Sequence, residues 1–307
     1  MSASRSEAPA PDVRGRTILA FLNEVAGGRR LLQAIRERVD AGAERVAVAV
    51  PQNQPEAGQI VDRDEVAAAA RSRLDVTQQV LAEFGIASEG AVFDADPLLA
   101  IDDAVRAYQP AEVLLSALPE SRYGLLRRDL VSWAQERLEV PVTHIPVRIE
   151  DDAIRWDVTH TLVVATRTVS SPDLVRRLLE RAKERPHRYT FICPRSGDIS
   201  REEVCARLAR TLSELYRHEI DATGQPMSPE PFPAVRNAIE HYRVDDILVS
   251  TLAGARSQWL EEGLLDRVRE ITDKPVEHIE SGEEATAVPV GATAGGAGNE
   301  TNAGEDR

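Results

Sequence analysis

Cysteine is nearly absent. The 307 residues hold two, Cys193 and Cys205, and neither sits in a CxxC or Cys/His spacing. A disulfide framework and a zinc site are therefore excluded, and two reduced, partly buried thiols are expected. The six histidines are scattered, so no metal centre is predicted. Long apolar runs are missing as well, since none approaches the roughly 18–20 residues that span a bilayer. The opening MSASRSEAPAPDVRGR lacks the apolar core of a signal peptide. The expectation is a cytoplasmic protein without membrane association, led by a disordered segment over 1–14. Basic charge is also scarce: 37 Lys and Arg stand against 51 Asp and Glu, for a net charge of −14 and a pI near 5.0. A duplex-binding protein carries a basic footprint, so nucleic acid is not an expected partner. The one local exception is a basic patch at Arg122, Arg127 and Arg128.

What the chain does have is a repeat. Residues 94–145 fall without a gap on residues 228–279 when shifted by 134 positions. Pro97/Pro231, Ala100/Ala234, Ala104/Ala238, Tyr108/Tyr242, Ser116/Ser250 and Arg122/Arg256 are identical, as are Pro141/Pro275 and His144/His278. A unit of this size is a duplicated domain rather than a short-period solenoid, and the chain length fits two domains. With 42% hydrophobic and 29% charged residues, each half has the material for its own core.

The apolar pattern alternates between short runs and helical periods. Residues 17–21 and 45–50 read as strands. Between them, Leu31, Leu32, Ile35 and Val39 recur at helical spacing, and Gly42 ends the helix. A long helix is predicted over 64–84, a weak strand over 90–93, and a helix from Pro97 to Tyr108, with proline tolerated in the first turn. A strand over 113–115, a helix over 122–138 and a strand over 142–147 complete the half. The second half repeats the scheme: strands over 160–165, 188–193, 219–222, 246–249 and 276–279, helices over 172–184, 202–216, 231–242 and 256–271. Such alternation implies a parallel sheet with helices on both faces, and right-handed crossovers leave only a few doubly wound forms. The predicted organisation is an α/β pair of domains at 15–148 and 158–280. They are joined by a linker over 149–157 and followed by a disordered, Gly- and Ala-rich acidic tail over 281–307.

The segment DPLLAIDDAVRAYQPAEVLLSAL with PVTHIPV resembles the C-terminal half of a universal stress protein domain. EPFPAVRNAIEHYRVDDILVSTL with PVEHIE resembles a second copy. The openings TILAFLNEVAGGRRLLQAI and TLVVATRTVSSPDLVRRLL are similar to that family's first strand and helix. The resemblance implies two sheets of order 3-2-1-4-5 and a pseudo-dimer of the two halves, with further homo-oligomerisation open. It also implies an adenine-nucleotide site built from an acidic residue after strand one and G-x2-G-x9-G-[S/T] after strand four. This chain departs from that pattern. It offers Ser116, Pro119, Asp129 and Leu130 in one half, and Ser250, Ala253, Gly263 and Leu264 in the other. Asn23 and Arg167 stand at the acidic position. Pro119 has no N–H to donate, and Asp129 would set a negative charge near a phosphate. ATP or AMP binding is therefore not expected in the first half and is doubtful in the second.

In an open parallel sheet a ligand sits past the carboxyl ends of the strands, where strand order reverses. The candidate ligand-binding residues there are Asn23, Ser116, Ala117 and Arg122 in the first half, and Arg167, Ser250, Thr251 and Arg256 in the second. A hydroxyl and an arginine at the start of a helix suit a phosphate or carboxylate; a serine capping a turn and an arginine on a solvated face are the plain alternative. His144 and His278, on edge strand five, are candidates for the contact between halves; hydrogen-bonded structural histidines are the alternative. No catalytic constellation is predicted. The function expected first is a non-enzymatic regulatory or ligand-sensing protein of tandem universal-stress type. A binder or weak hydrolase of a small anion and a protein-interaction scaffold stand as alternatives.

Overall fold

The computed structural model describes residues 12–23, 28–52, 63–117, 122–123, 128–146, 158–194, 199–227, 230–253, 258–261 and 263–282. Its first half runs β1 (Thr17–Leu22), α1 (Arg29–Asp40), β2 (Arg45–Pro51), α2 (Arg63–Glu83), β3 (Glu89–Phe93) and α3 (Pro97–Tyr108). Then come β4 (Glu112–Ala117), β5 (Arg122–Tyr123), β6 (Arg128–Asp129), α4 (Leu130–Arg137) and β7 (Val142–Pro146). The second half runs β8 (Thr159–Val164), α5 (Pro172–Glu184), β9 (His187–Pro194), α6 (Arg201–Arg217), β10 (Asp221–Met227) and α7 (Pro231–His241). It closes with β11 (Asp246–Leu252), α8 (Gln258–Glu261), α9 (Leu264–Glu270) and β12 (Val276–Ser281). The expected linker and most of the expected terminal segments lie outside the described residues.

Each half builds one five-stranded sheet in which every pairing is parallel. The orders are β3-β2-β1-β4-β7 and β10-β9-β8-β11-β12, so both halves read 3-2-1-4-5. All six residues of β1 are buried. Ile18, Ala20 and Leu22 face the side covered by α1 and α2, while Leu19 and Phe21 face α3 and α4. A strand covered on both faces has no use for polar alternation, which is why its sequence is a continuous apolar run. Helix starts are set by capping side chains that take up free amides. Asp96 accepts from the Leu98 N–H at 2.9 Å, and Ser200 from the Glu203 N–H at 3.1 Å.

The last helix of each half departs from expectation. Instead of one helix over 122–138, Arg122–Tyr123 pairs antiparallel with Arg128–Asp129 and the helix starts only at Leu130. Asp129 sets that start, because its carboxylate accepts from the Val131 and Ser132 amides, both at 3.2 Å. In the second half the expected helix over 256–271 breaks between α8 and α9 at Gly263, whose φ of 68° is left-handed and suits glycine. Strand β10 is longer than the stretch predicted over 219–222. It continues through Gly224 and Pro226, residues that an edge strand accommodates.

The contact between halves is also a correction. The candidate interface was strand five with His144 and His278; the structure instead packs α2 against α6, with α2 also touching β10. Apolar residues of both halves form one continuous core there, including Leu74, Val80 and Leu81 of α2 and Leu208, Leu212 and Leu215 of α6. Polar links cross beside it. Arg29 pairs with Asp221 at 2.8 Å, and Arg217 with Glu83 at 3.2 Å. The Tyr216 hydroxyl accepts from the Gly28 N–H at 2.9 Å while donating to the Ala222 carbonyl at 2.7 Å. Burial of long helical faces wins here because each fully buried leucine or valine contributes about 1.5–3 kcal/mol, more than an edge histidine can offer.

Candidate functional site

The switch point of each sheet lies between its first and fourth strands. In the first half the structure brings Asn23, Ser116, Ala117 and His144 together there. The Asn23 N–H donates to the Ser116 carbonyl at 3.0 Å, joining the ends of β1 and β4. Asn23, Ser116 and Ala117 are all buried. Ring nitrogen Nε2 of His144 lies 3.1 Å from the Ala117 carbonyl; since a carbonyl only accepts, that nitrogen carries the proton. His144 is thus tied to the neighbouring strand of its own sheet. Arg122 is a residue of β5 rather than of a helix start, and Arg256 lies outside the described residues.

The second switch point is richer in hydroxyls. The Thr168 hydroxyl donates to the Ser250 carbonyl at 3.0 Å, and the Ser250 hydroxyl donates to Thr168 Oγ1 at 2.9 Å. Ser281 Oγ lies 3.0 Å from Ser250 Oγ; with the Ser250 proton already given to Thr168, Ser281 is the donor. Thr166 donates to the Pro194 carbonyl. Thr251 Oγ1 meets His278 Nε2 at 2.9 Å. Burial pushes the His278 imidazole below its usual value, against the pull of nearby Glu280. Thr166, Thr168, Ser250, Thr251 and Ser281 are all buried. These groups satisfy one another, so a ligand entering between β8 and β11 must break bonds that already exist.

Arg167 is only half-buried, and the loop around it is fastened from α6. Arg207 donates to the Arg167 carbonyl at 2.7 Å and Thr211 to the Val169 carbonyl at 2.7 Å. The matching side chain in α2 is Arg73, fully buried, whose Nη2 donates to the Pro51 carbonyl at 2.8 Å. Sequence reasoning missed these residues along with Thr168 and Ser281. A signal was present: at the same shift of 134 positions Arg73, Leu74, Thr77 and Leu81 match Arg207, Leu208, Thr211 and Leu215. The repeat therefore extends upstream of residue 94.

Among the described residues no group of three or more His, Cys, Asp or Glu side chains is placed to hold a metal ion. No helix among them is long and apolar enough to cross a membrane. No protein-family model matches the chain, and no curated protein does. Among solved structures, it matches a universal stress protein from Archaeoglobus fulgidus DSM 4304. Identity is 16%, with 89% of this chain and 99% of that one covered, at a TM-score of 0.35. A putative universal stress protein from Pseudomonas aeruginosa UCBPP-PA14 matches at 15% identity, 87% and 93% coverage, and a TM-score of 0.29. The chain is similar to universal stress proteins. That likeness brings no site residue and no activity with it; the α/β fold stands on the strand order 3-2-1-4-5, found twice.

Proposed function

We propose that this protein is a non-enzymatic regulatory or ligand-sensing protein of tandem universal-stress type that does not hold ATP in the way the resemblance implies. The observation behind the proposal is Asp129. Its carboxylate takes the Val131 and Ser132 amides at the start of α4 and the Ser132 hydroxyl at 2.6 Å. Helix-start amides are the donors that a bound phosphate uses, and here a side chain of the chain itself uses them and adds a negative charge. The mutually bonded hydroxyls between β8 and β11 support the same conclusion for the second half, and among the described residues no nucleophile, base and acid stand together at either switch point. Two buried, unpaired cysteines suit a reducing cytoplasm.

The test is equilibrium binding of ATP and AMP to the full chain by calorimetry, with turnover of ATP followed in parallel. No saturable micromolar binding and no hydrolysis are expected. Saturable micromolar ATP affinity of the full chain would sink the proposal. A second reading, a small anionic ligand at the second switch point, requires the hydroxyls of Thr168, Ser250, Thr251 and Ser281 to exchange their present bonds for the ligand. A melting shift with phosphate or a carboxylate that disappears in Thr168→Val would favour it.

A further inference from the structure

The second half holds a groove that the switch points do not explain. It runs between α5 and α6, has a volume of about 720 Å³ and reaches Glu83, the last residue of α2. That volume lies within the roughly 300–1,000 Å³ of binding clefts. Leu174, Leu178 and Arg181 are the buried face of α5. Val175 and Leu179 each lie one position on; both line the groove and are only half-buried. Spaced four apart, they make one apolar strip along the helix. Charge surrounds the strip. Arg176, Lys183, Arg210 and Arg217 face it, against Glu83, Glu180 and Glu214. Arg217 already binds Glu83 and Glu214, both at 3.2 Å, and Glu180 lies 3.9 Å from Arg177. The acids of the lining are thus engaged and the cations outnumber them, so the groove favours an occupant that brings negative charge and an apolar part.

The chain leaves the second sheet at one end of this groove. Strand β12 ends at Ser281, and the Gly282 N–H donates to Asp173 Oδ2 at 3.3 Å. The other Asp173 oxygen accepts from Arg176 at 2.5 Å. A single carboxylate therefore separates Gly282 from a cation of the groove wall. Residues 283–290 follow with the sequence EEATAVPV. Two acidic residues come first, then two valines around a proline. After Gly282, Val288 and Val290 are the only Val, Leu, Ile, Met or aromatic residues in the sequence. Reach is sufficient. Helix α5 advances about 1.5 Å per residue, so Leu179 lies roughly 9 Å along the axis from Asp173. Six extended residues from Gly282 to Val288 cover up to about 20 Å, which leaves slack to pass around the helix start.

We propose that residues 283–290 of the same chain dock in the groove between α5 and α6. Glu283 and Glu284 lie against Arg176, and Val288 and Val290 cover Val175 and Leu179. The order of the segment, acids before valines, matches the order of the groove from the start of α5 inward. A segment so poor in apolar residues has no core of its own, but two valines on a half-covered strip take apolar surface out of water on both sides. Pro289 fixes one backbone angle and has no N–H to satisfy. The tether decides between occupants. A short linker holds its end at millimolar effective concentration, so a weak contact fills the groove from within the chain, where a second copy or a separate peptide would need that concentration in solution.

Photocrosslinking of the full chain tests this. Cys193 and Cys205 are buried, so benzophenone maleimide attached to Val288→Cys reacts at that position alone. After illumination, mass spectrometry is expected to find position 288 joined to α5 or α6 of the same molecule. Crosslinks only to other parts of the fold, only between two molecules, or none at all overturn the proposal. Hydrogen exchange on the unlabelled chain gives a second reading. The amides of residues 283–290 are expected to exchange several-fold more slowly than those of a free peptide of the same sequence. Arg176→Glu with Lys183→Glu, both at exposed positions, is expected to remove that protection while the strands of the second sheet keep theirs. Free-peptide rates in the parent chain, or protection that survives the double variant, also overturn the proposal.

Discussion

Glu112 is shut away from solvent, and Arg38, one-fifth exposed, grips it with two nitrogens. A buried pair of this kind is worth little against an apolar substitute, but breaking it strands a charge. Glu112→Ala is therefore expected to lose about 3–5 kcal/mol in urea unfolding, while the paired change Arg38→Met with Glu112→Leu loses much less. Titration at the residue scale is set by His187 and His278, both held below the ordinary 6.5 chiefly by burial. Unfolded, both imidazoles take up protons near 6.5; folded, they resist. The unfolded chain thus binds more protons as pH falls, and stability drops below pH 6.5 until the folded values are passed. The urea midpoint is expected to be lower at pH 5.5 than at 7.5, and His187→Phe with His278→Gln to flatten that slope. An unchanged slope in the double variant would assign the loss to other groups.

At the scale of elements, two positions decide where structure starts and how closely strands approach. Asp129 begins α4 by accepting two amides and a hydroxyl. Asp129→Ala is expected to cost about 1 kcal/mol in denaturant unfolding, with far-UV dichroism otherwise unchanged. Gly224 lets β10 lie against β9 and α6. A Cβ there would stand 2.7 Å from Phe191 Cβ and 3.2 Å from Leu208 Cδ1. Gly224→Ala is expected to cost about 1–3 kcal/mol through overpacking, measured as a fall in midpoint without a change in slope. Gly90 repeats the arrangement against Val48 and Leu74 in the first half, at the same shift of 134 positions.

The whole molecule is held by the α2–α6 contact. Because apolar side chains from both halves form one core, neither half keeps its cover when cut free. A fragment of residues 12–146 is expected to melt well below the full chain and to self-associate on size-exclusion chromatography. A monomeric fragment with the parent's Tm would show that the shared core adds nothing. Ligand screens therefore belong on the intact chain, where the helical faces are covered.

Much of this was legible in the sequence, for physical reasons that differ by element. Apolar runs at residues 17–21 and 45–50 read as strands, and their alternation with amphipathic helices implies a parallel sheet covered on both faces. The shift of 134 positions, visible in Pro97/Pro231 and His144/His278, goes with the strand order found in both halves. Helix starts at Pro97 and Pro172 were equally plain, since proline at the first turn loses no bond. What the sequence misplaced or left open depends on partners far apart in the chain. Whether Arg122 opens a helix, whether Ser250 is free or bonded to Thr168 and Ser281, and whether the halves meet by edge strands or by helices are questions of which neighbours arrive. Only the tertiary structure answers them, because a hydroxyl or a helical face has no fixed role until another surface competes with water for it.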